Sequence, residues 1–361
     1  MGEAMQPLNT FVGSIVEDRY RVEEQLGEGA MGAVYRGRHI KVGRTVAIKV
    51  LHDHLVQDES MVERFEREAK IVARLEHPNL VGVIDFGTTA DGKRLMVLEF
   101  APGRSMADLV CAPMHRARVI TLTRQLLLGL EHAHAAGLIH RDLKPENVLV
   151  EQCADGTEIP RIVDFGIAVL RDPVEDSQAD GRRLTTTGVV LGTPLYMSPE
   201  QAKGELVDER TDLFALGVMV YEMLAGTTPF QGSGVEVMML NICQDPPSIA
   251  TRTGRHVDPN LEAFARKLMA RDANDRFTSA TEALAALDAI AQQQAVPQPI
   301  VDDPTVRQRA VRITMPALTV EPKGSVSVEA VGEQPPPRAR RWGMLLGAVV
   351  AALAGLTVTR C

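Results

Sequence analysis

The densest concentration of chemically capable side chains in this 361-residue chain is His140-Arg141-Asp142-Leu143-Lys144-Pro145-Glu146-Asn147. Asp142 offers a carboxylate that can take a proton from a hydroxyl. Lys144 offers an ammonium for a phosphate, and Asn147 offers an oxygen for a hard cation. Asp164, opening Asp164-Phe165-Gly166, supplies a second metal-binding oxygen. A proton acceptor, a phosphate-binding cation and two oxygen ligands together suit the movement of a phosphoryl group from a nucleotide.

Such a site needs a nucleotide half, and the N-terminal third of the chain carries one. Tyr20 to Leu26 alternates apolar and polar residues like a strand, then runs into Gly27-Glu28-Gly29-Ala30-Met31-Gly32-Ala33-Val34. Three glycines at this spacing let a hairpin turn sharply and bring backbone N–H groups close to phosphate oxygens. The same glycine pattern opens strand–helix dinucleotide units. Here Val34 to Arg38 reads as a second strand, so the glycines join two antiparallel strands. Thr45 to Leu51 is a further strand, apolar except for Lys49 after its opening threonine. A lysine that interrupts a buried run calls for a fixed partner, and small Ala47 leaves room for a flat base. Ser60 and Glu63 form a capping-box signal for a helix reaching to about Leu75. Phe65, Glu68, Val72 and Leu75 share one face of it, which puts the Glu68 carboxylate on the apolar stripe as the natural partner of Lys49.

The remaining elements follow in order. Leu80 to Gly87 and Arg94 to Phe100 read as a hairpin turned at Asp91-Gly92, and Ala101-Pro102-Gly103 breaks the pattern like a hinge. Arg116 to Ala136 is helical, closed by Gly137, and delivers the octapeptide. Val148 to Val150 and Arg161 to Val163 pair around Asp155-Gly156, presenting Asn147 and Asp164 at neighbouring strand ends. Ile167 to Met197 is a long irregular segment holding Thr185-Thr186-Thr187. Thr211 is expected to cap a helix from Asp212 to Leu224 that is apolar on nearly every side, hence a buried strut. Asp258-Pro259 caps and begins another helix, and the helical part ends near Gln294.

A hydrophobic fraction of 45% with 24% charged residues allows a large core, and the length suits two lobes plus a tail. A formal net charge of -8 implies no basic face and argues against a nucleic-acid partner. The four cysteines show no C-x-x-C spacing, so a zinc site or disulfide framework is not expected. No secretory signal is read at the N-terminus, and Gln6 stands where a myristoylation motif wants Ser or Thr.

Together these residues resemble a eukaryotic-type protein kinase domain of the Ser/Thr branch also found in bacteria. The likeness runs from about Tyr20 to Ile290 and covers the glycine loop, Val46-Ala47-Ile48-Lys49, Glu68, His-Arg-Asp, Asp-Phe-Gly, Ser198-Pro199-Glu200, Asp212 and Arg276, in family order. It implies an α+β, bilobal fold, with a β-rich N-lobe, an α-helical C-lobe and ATP between them. By the same resemblance Lys49 would hold the α- and β-phosphates and pair with Glu68. Asp142 would take the acceptor proton, Lys144 would neutralise γ-phosphate charge, and Asn147 and Asp164 would bind Mg²⁺. Leu26, Gly27, Gly29, Gly32, Val34, Ala47, Leu98, Glu99, Ala101 and Leu149 would line the nucleotide site. Val72, Val83, Phe165 and His140 would stack as a spine, and Glu200 with Arg276 would form a buried ion pair. Arg141 would contact a phosphorylated activation-segment threonine, Thr185, Thr186 or Thr187. Lys144 and Gly192-Thr193-Pro194 favour Ser/Thr acceptors in protein substrates, and a dimer would serve trans-autophosphorylation. A pseudokinase scaffold and a small-molecule kinase are the alternatives. The first commonly lacks the Lys, catalytic Asp or metal Asp present here, and the second lacks Lys144-Pro145-Glu146 and Ser-Pro-Glu.

The expected organisation is a lead at 1–19, the kinase domain at 20–290, a Pro-rich, basic-ended linker at 291–341 and a transmembrane helix at 342–359. Arg338-Ala339-Arg340-Arg341 and Trp342 precede an uncharged run to Thr359, just long enough to cross a bilayer once with the kinase domain cytoplasmic. A wholly cytoplasmic chain is the alternative. Thr305, after Asp302-Asp303-Pro304, is a candidate docking site for a phosphothreonine-binding adaptor.

Overall fold

Period-two patterning builds the N-terminal half. The computed structural model of the chain describes residues 11–29, 32–52, 71–89, 91–164 and 194–293. The chain divides into units Met1–Gln298 and Pro299–Cys361, and every described residue lies in the first. Six antiparallel strands form one sheet in the order β1-β2-β3-β4-β6-β5: β1 Ile15–Val16, β2 Tyr20–Gly29, β3 Gly32–His39, β4 Thr45–Leu51, β5 Val83–Thr88 and β6 Arg94–Glu99. Alternation along β4 sorts its side chains between two cores. Val46, Ile48 and Val50 join Val22, Tyr35, Leu95 and Val97 on the outer face. Leu51 and the partly buried Ala47 join Met96, Leu98 and Ala101 on the other. Full burial of each such aliphatic chain contributes about 1.5–3 kcal/mol, which fixes the register that faces Lys49 inward.

Two differences from the sequence expectation have physical causes. Leu80 and Val81 are not part of the β5 hairpin. Leu80 forms a parallel bridge with Ile162, while Val81 N–H donates to the Ile162 carbonyl at 2.9 Å. The Asn79 side chain donates to the Pro160 carbonyl at 2.8 Å, so this segment stitches the two halves together. Secondly, the sheet begins before Tyr20. Glu17 and Asp18 turn at φ 50° and 51°, and β1 pairs with β2. The Glu17 carboxylate then accepts from Thr88 N–H at 2.8 Å.

The other half is helical around a small sheet of β7 Arg104–Ser105, β8 Val148–Gln152 and β9 Glu158–Ile162, ordered β7-β8-β9. Its helices are α1 Arg116–Ala135, α2 Pro199–Lys203, α3 Arg210–Ala225, α4 Gly234–Cys243, α5 Ile249–Thr253, α6 Pro259–Leu268 and α7 Ala280–Gln293. The apolar α3 is buried at every residue from Thr211 to Tyr221, as a central strut. It lies so close to α6 that a Cβ on Gly217 would sit 2.7 Å from Leu268 Cβ. Val72 and Leu75, at the end of the helix expected from Ser60, bury into this same core. The first part of that helix, with Glu68, lies outside the described residues, as do 165–193 and the linker and apolar run after 293. Among the described residues no helix is long and apolar enough to cross a membrane.

Thr211 does not cap α3. Glu209 holds the cap position, and Thr211 lies in the first turn, where its hydroxyl donates to Glu200 Oε1 at 2.9 Å. Glu200 also receives both terminal nitrogens of Arg276 at 2.7 Å, a bidentate pair whose arginine side chain is 0% exposed. Arg276 Nε donates to the Ala270 carbonyl and Nη1 to the Arg210 carbonyl, so its donors are satisfied inside the protein. Burial alone would raise the Glu200 pKa, but the Arg276 hydrogen bonds and charge outweigh it and hold the carboxyl below its ordinary value. Arg276→Ala strands the carboxylate, and urea unfolding at pH 7 is expected to show a loss of about 3–5 kcal/mol. Because the folded pKa is depressed, the pair's contribution is present above the ordinary value of 4.5 and lost as pH falls through the folded one. The difference between wild type and variant should therefore narrow in acid.

Candidate active site

The octapeptide His140–Asn147 is posed by a carboxylate that the strut brings up from below. Asp212, in the first turn of α3, is fully buried. Its Oδ1 accepts from Arg141 N–H at 2.8 Å, and its Oδ2 accepts from His140 N–H at 2.8 Å. His134 Nε2, on α1, reaches Oδ2 at 2.8 Å. Burial pushes the Asp212 pKa up, but the His134 contact, with help from His140, more than reverses this and lowers it, keeping the acceptor charged. Arg141 has φ 63°, a left-handed conformation that costs a non-glycine residue of order 1–3 kcal/mol. Asp212 Oδ1, accepting from its N–H, and a 2.8 Å donation from Gln201 Nε2 to the Arg141 carbonyl hold it there. Gln201 also accepts from Ser198 N–H, in a capping box visible in the sequence as Ser-Pro-Glu-Gln.

From this platform Asp142 faces the cleft. Lys144 Nζ lies 3.0 Å and Asn147 Nδ2 3.3 Å from its Oδ2, which fixes the carboxylate's orientation. Asn147 Nδ2 also donates to the Asp142 carbonyl at 2.7 Å, leaving Asn147 Oδ1 as the oxygen for a metal. The β8–β9 pairing sets Val148 against Ile162, and Val163 N–H donates to the Asn147 carbonyl at 2.9 Å. Asp164 therefore follows one residue beyond Asn147's partner, at φ 66°. His140 is buried, with Nε2 2.9 Å from the Val163 carbonyl. A carbonyl only accepts, so this nitrogen carries the proton and His140 ties the two loops together.

Lys49 reaches the same cleft from above. It is 4% exposed, and its Nζ lies 2.9 Å from Asp164 Oδ2. Glu68, its expected partner, lies outside the described residues. Across the sheet Lys49 faces Val34 and Met96, while Ala47 faces Leu98. Ala47, Leu98, Ala101 and Leu149 share one apolar cluster, to which Met96 and Val163 belong without having been singled out from the sequence. Leu26 is 49% exposed at a bulge between Gln25 and Gly27, apart from that cluster. Glu99 follows Leu98 at the end of β6, and its carboxylate meets Arg44 at 2.8 Å. Phe165, Gly192 and Thr185–Thr187 lie outside the described residues.

The cleft fits a nucleotide and a hard cation. A Cβ on Gly27 or Gly29 would meet nothing within 4 Å, so there is open space against this hairpin. The Asn147 and Asp164 oxygens are few, which suits Mg²⁺, an ion that keeps waters and takes its other ligands from phosphates. Two hollows of about 320 and 470 Å³ on the helical half are lined by Arg271 and Asp272 among other charged groups, apart from these residues.

A family model for the protein kinase domain matches residues 20–287. The chain is 38% identical over 288 residues to the serine/threonine-protein kinase pkn3 of Myxococcus xanthus, covering 79% of this chain and 52% of that one. It is 35% identical over 289 residues to the serine/threonine-protein kinase PknL of Mycobacterium tuberculosis, covering 79% of this chain and 69% of that one. The crystal structure of the Mycobacterium tuberculosis PknI kinase domain superposes with a TM-score of 0.59 at 26% identity, covering 77% of this chain and 98% of that one. The chain spans about half the length of pkn3 and 33% of pkn2, another Myxococcus xanthus relative. With the matched domain filling most of its length, this chain belongs to the protein kinase family, in its bacterial Ser/Thr branch.

Proposed function

We propose that the chain transfers the γ-phosphoryl group of ATP, with Mg²⁺, to Ser or Thr hydroxyls of protein substrates. The observation that carries this reading is the convergence of Lys49, Asp142, Lys144, Asn147 and Asp164 on one cleft. Bound MgATP supplies the phosphoryl group and part of the charge that offsets its oxygens. Asp142 would accept the hydroxyl proton as the acceptor oxygen attacks the γ-phosphorus, and the bond from that phosphorus to the β–γ bridging oxygen would break to release ADP. Lys144, already 3.0 Å from that carboxylate, sits where it can neutralise charge on the transferring group. Lys49 holds the α- and β-phosphates, and Asn147 and Asp164 contribute metal ligands. Retention of all five groups supports catalysis over a pseudokinase scaffold.

The regulatory part of the reading rests on sequence and chemistry. A phosphate on Thr185, Thr186 or Thr187 adds nearly two negative charges and three acceptors, suited to the guanidinium of Arg141. A second copy would supply that phosphate in trans, and phosphorylated Thr305 would suit an adaptor. In a turnover assay with ATP and a generic protein substrate, Asp142→Asn should lose at least about a hundredfold in transfer while keeping ATP affinity. Phosphosite mapping of active wild type should find the Thr185–Thr187 segment modified. Equal incorporation by both proteins would remove Asp142 from its role, and an unmodified loop in fully active enzyme would remove the switch.

Localisation follows from Arg338–Arg341 and the uncharged run after them, which support a single membrane-spanning helix with the kinase domain cytoplasmic. In fractionation, the full chain is expected to pellet with membranes and a chain cut before Arg338 to stay in the supernatant. Identical partitioning of the two would leave the cytoplasmic alternative.

A further inference from the structure

Resting on the kinase reading, we infer that His52 is a positioning residue for the nucleotide, latching the glycine hairpin from outside it. The hairpin's outer end is poorly anchored by its own residues. From Glu24 to Gly29, β2 is exposed, and its ladder with β3 slips at Val22/Glu24 and again at Gln25/Gly27. The side-chain contacts described there stay within the hairpin: Gln25 Nε2 to Glu28 Oε2 at 3.4 Å and Arg36 to Glu24 at 2.9 Å. Exposed strands with interrupted ladders open locally at low cost, and this one carries the backbone that would face phosphates.

His52 reaches this end from the neighbouring strand. Gly29 pairs with Gly32, and Gly32 pairs with Leu51, so the three form one row across β2, β3 and β4. At the middle of the row Gly32 has φ 153°, and a Cβ there would collide with the Val50 carbonyl. Its missing side chain lets β3 settle onto the end of β4. The residue after Leu51 can then reach across, and His52 Nε2 lies 3.1 Å from the Gly29 carbonyl. The carbonyl only accepts, so the imidazole donates. The link spans 23 residues of sequence and joins the lid to the strand that carries Lys49. Closing the lid and holding the lysine are thus coupled through one strand end.

A net hydrogen bond of this kind shifts a closed population by about two- to tenfold. Lid opening also gates product release in many enzymes, so a weaker latch need not slow turnover. The test compares full-length wild type, His52→Phe and His52→Gln by hydrogen exchange without nucleotide and by steady-state kinetics with ATP. In His52→Phe, which keeps a ring but no donor, amides of residues 24–29 and 32–34 should exchange faster. The KM for ATP should rise about two- to tenfold, with kcat equal or higher. His52→Gln, which restores a donor, should recover both readouts. Unchanged loop exchange in His52→Phe overturns the latch. A fall in kcat together with thermal stability, not rescued by Gln, overturns it in favour of simple packing. If wild type itself transfers no phosphate to protein, the kinase reading fails, and loop exchange alone decides the latch.

Discussion

The Asp212 carboxylate is the constraint on which the site depends. It is a buried charge, and a buried charge is tolerable only when its oxygens are taken up by donors. Three donors do so: the N–H groups of His140 and Arg141 and the His134 ring. The grip runs in both directions. The donors keep Asp212 ionised, and Asp212 keeps Arg141 in a left-handed conformation that the chain would otherwise leave. That conformation turns the next residue, Asp142, toward Lys144 and Asn147. Because Asp212 sits on a helix buried on nearly all sides, the pose of the Asp142 carboxylate is referred to the buried core of the helical half.

The nucleotide half is organised by a different principle. Alternation in β4 gives one face to the outer core and the other to the cleft, so Lys49 arrives in an apolar environment with its charge met by Asp164. Two lysines and two acidic groups thus meet in pairs, Lys49 with Asp164 and Lys144 with Asp142. Preorganised charges of this kind act on a phosphoryl group without reorganising at the moment of transfer. The seam at Asn79–Val81 and Ile162 holds the two halves in register, while the His140–Val163 contact ties the 140–147 loop to the end of β9.

Much of this was legible in the sequence because its signals are local. The bounds of β4, Thr45–Leu51, and the glycine hairpin follow from periodicity and turn chemistry within a few residues. The α1 helix and its Gly137 exit were equally plain, and so was the Asp258 cap of α6. What the sequence hid is tertiary. The turn at Glu17-Asp18 carries no glycine or asparagine to announce its positive φ angles. Leu80 and Val81 look like strand residues, and they do pair, but with Ile162 of the other half. Thr211 precedes an aspartate and a long apolar run, which reads as a helix cap, yet Glu200 claims its hydroxyl. Asp212 was recognisable through family resemblance, but its partners were not, since two are backbone amides some seventy residues away. His52, a half-buried histidine after a strand, gave no signal at all.

A buried carboxylate on α3 sets the 140–147 loop without touching the nucleotide half. Asp212→Asn keeps the shape and one carbonyl acceptor but removes the charge and replaces the other acceptor with a donor. The decisive measurement is single-turnover phosphoryl transfer from ATP to a protein substrate, made beside equilibrium ATP affinity. Transfer should fall at least about tenfold, the effect of about 1.4 kcal/mol on the barrier, with ATP affinity held within about twofold. Transfer at the wild-type rate, or an equal loss of ATP affinity, would contradict this role of Asp212.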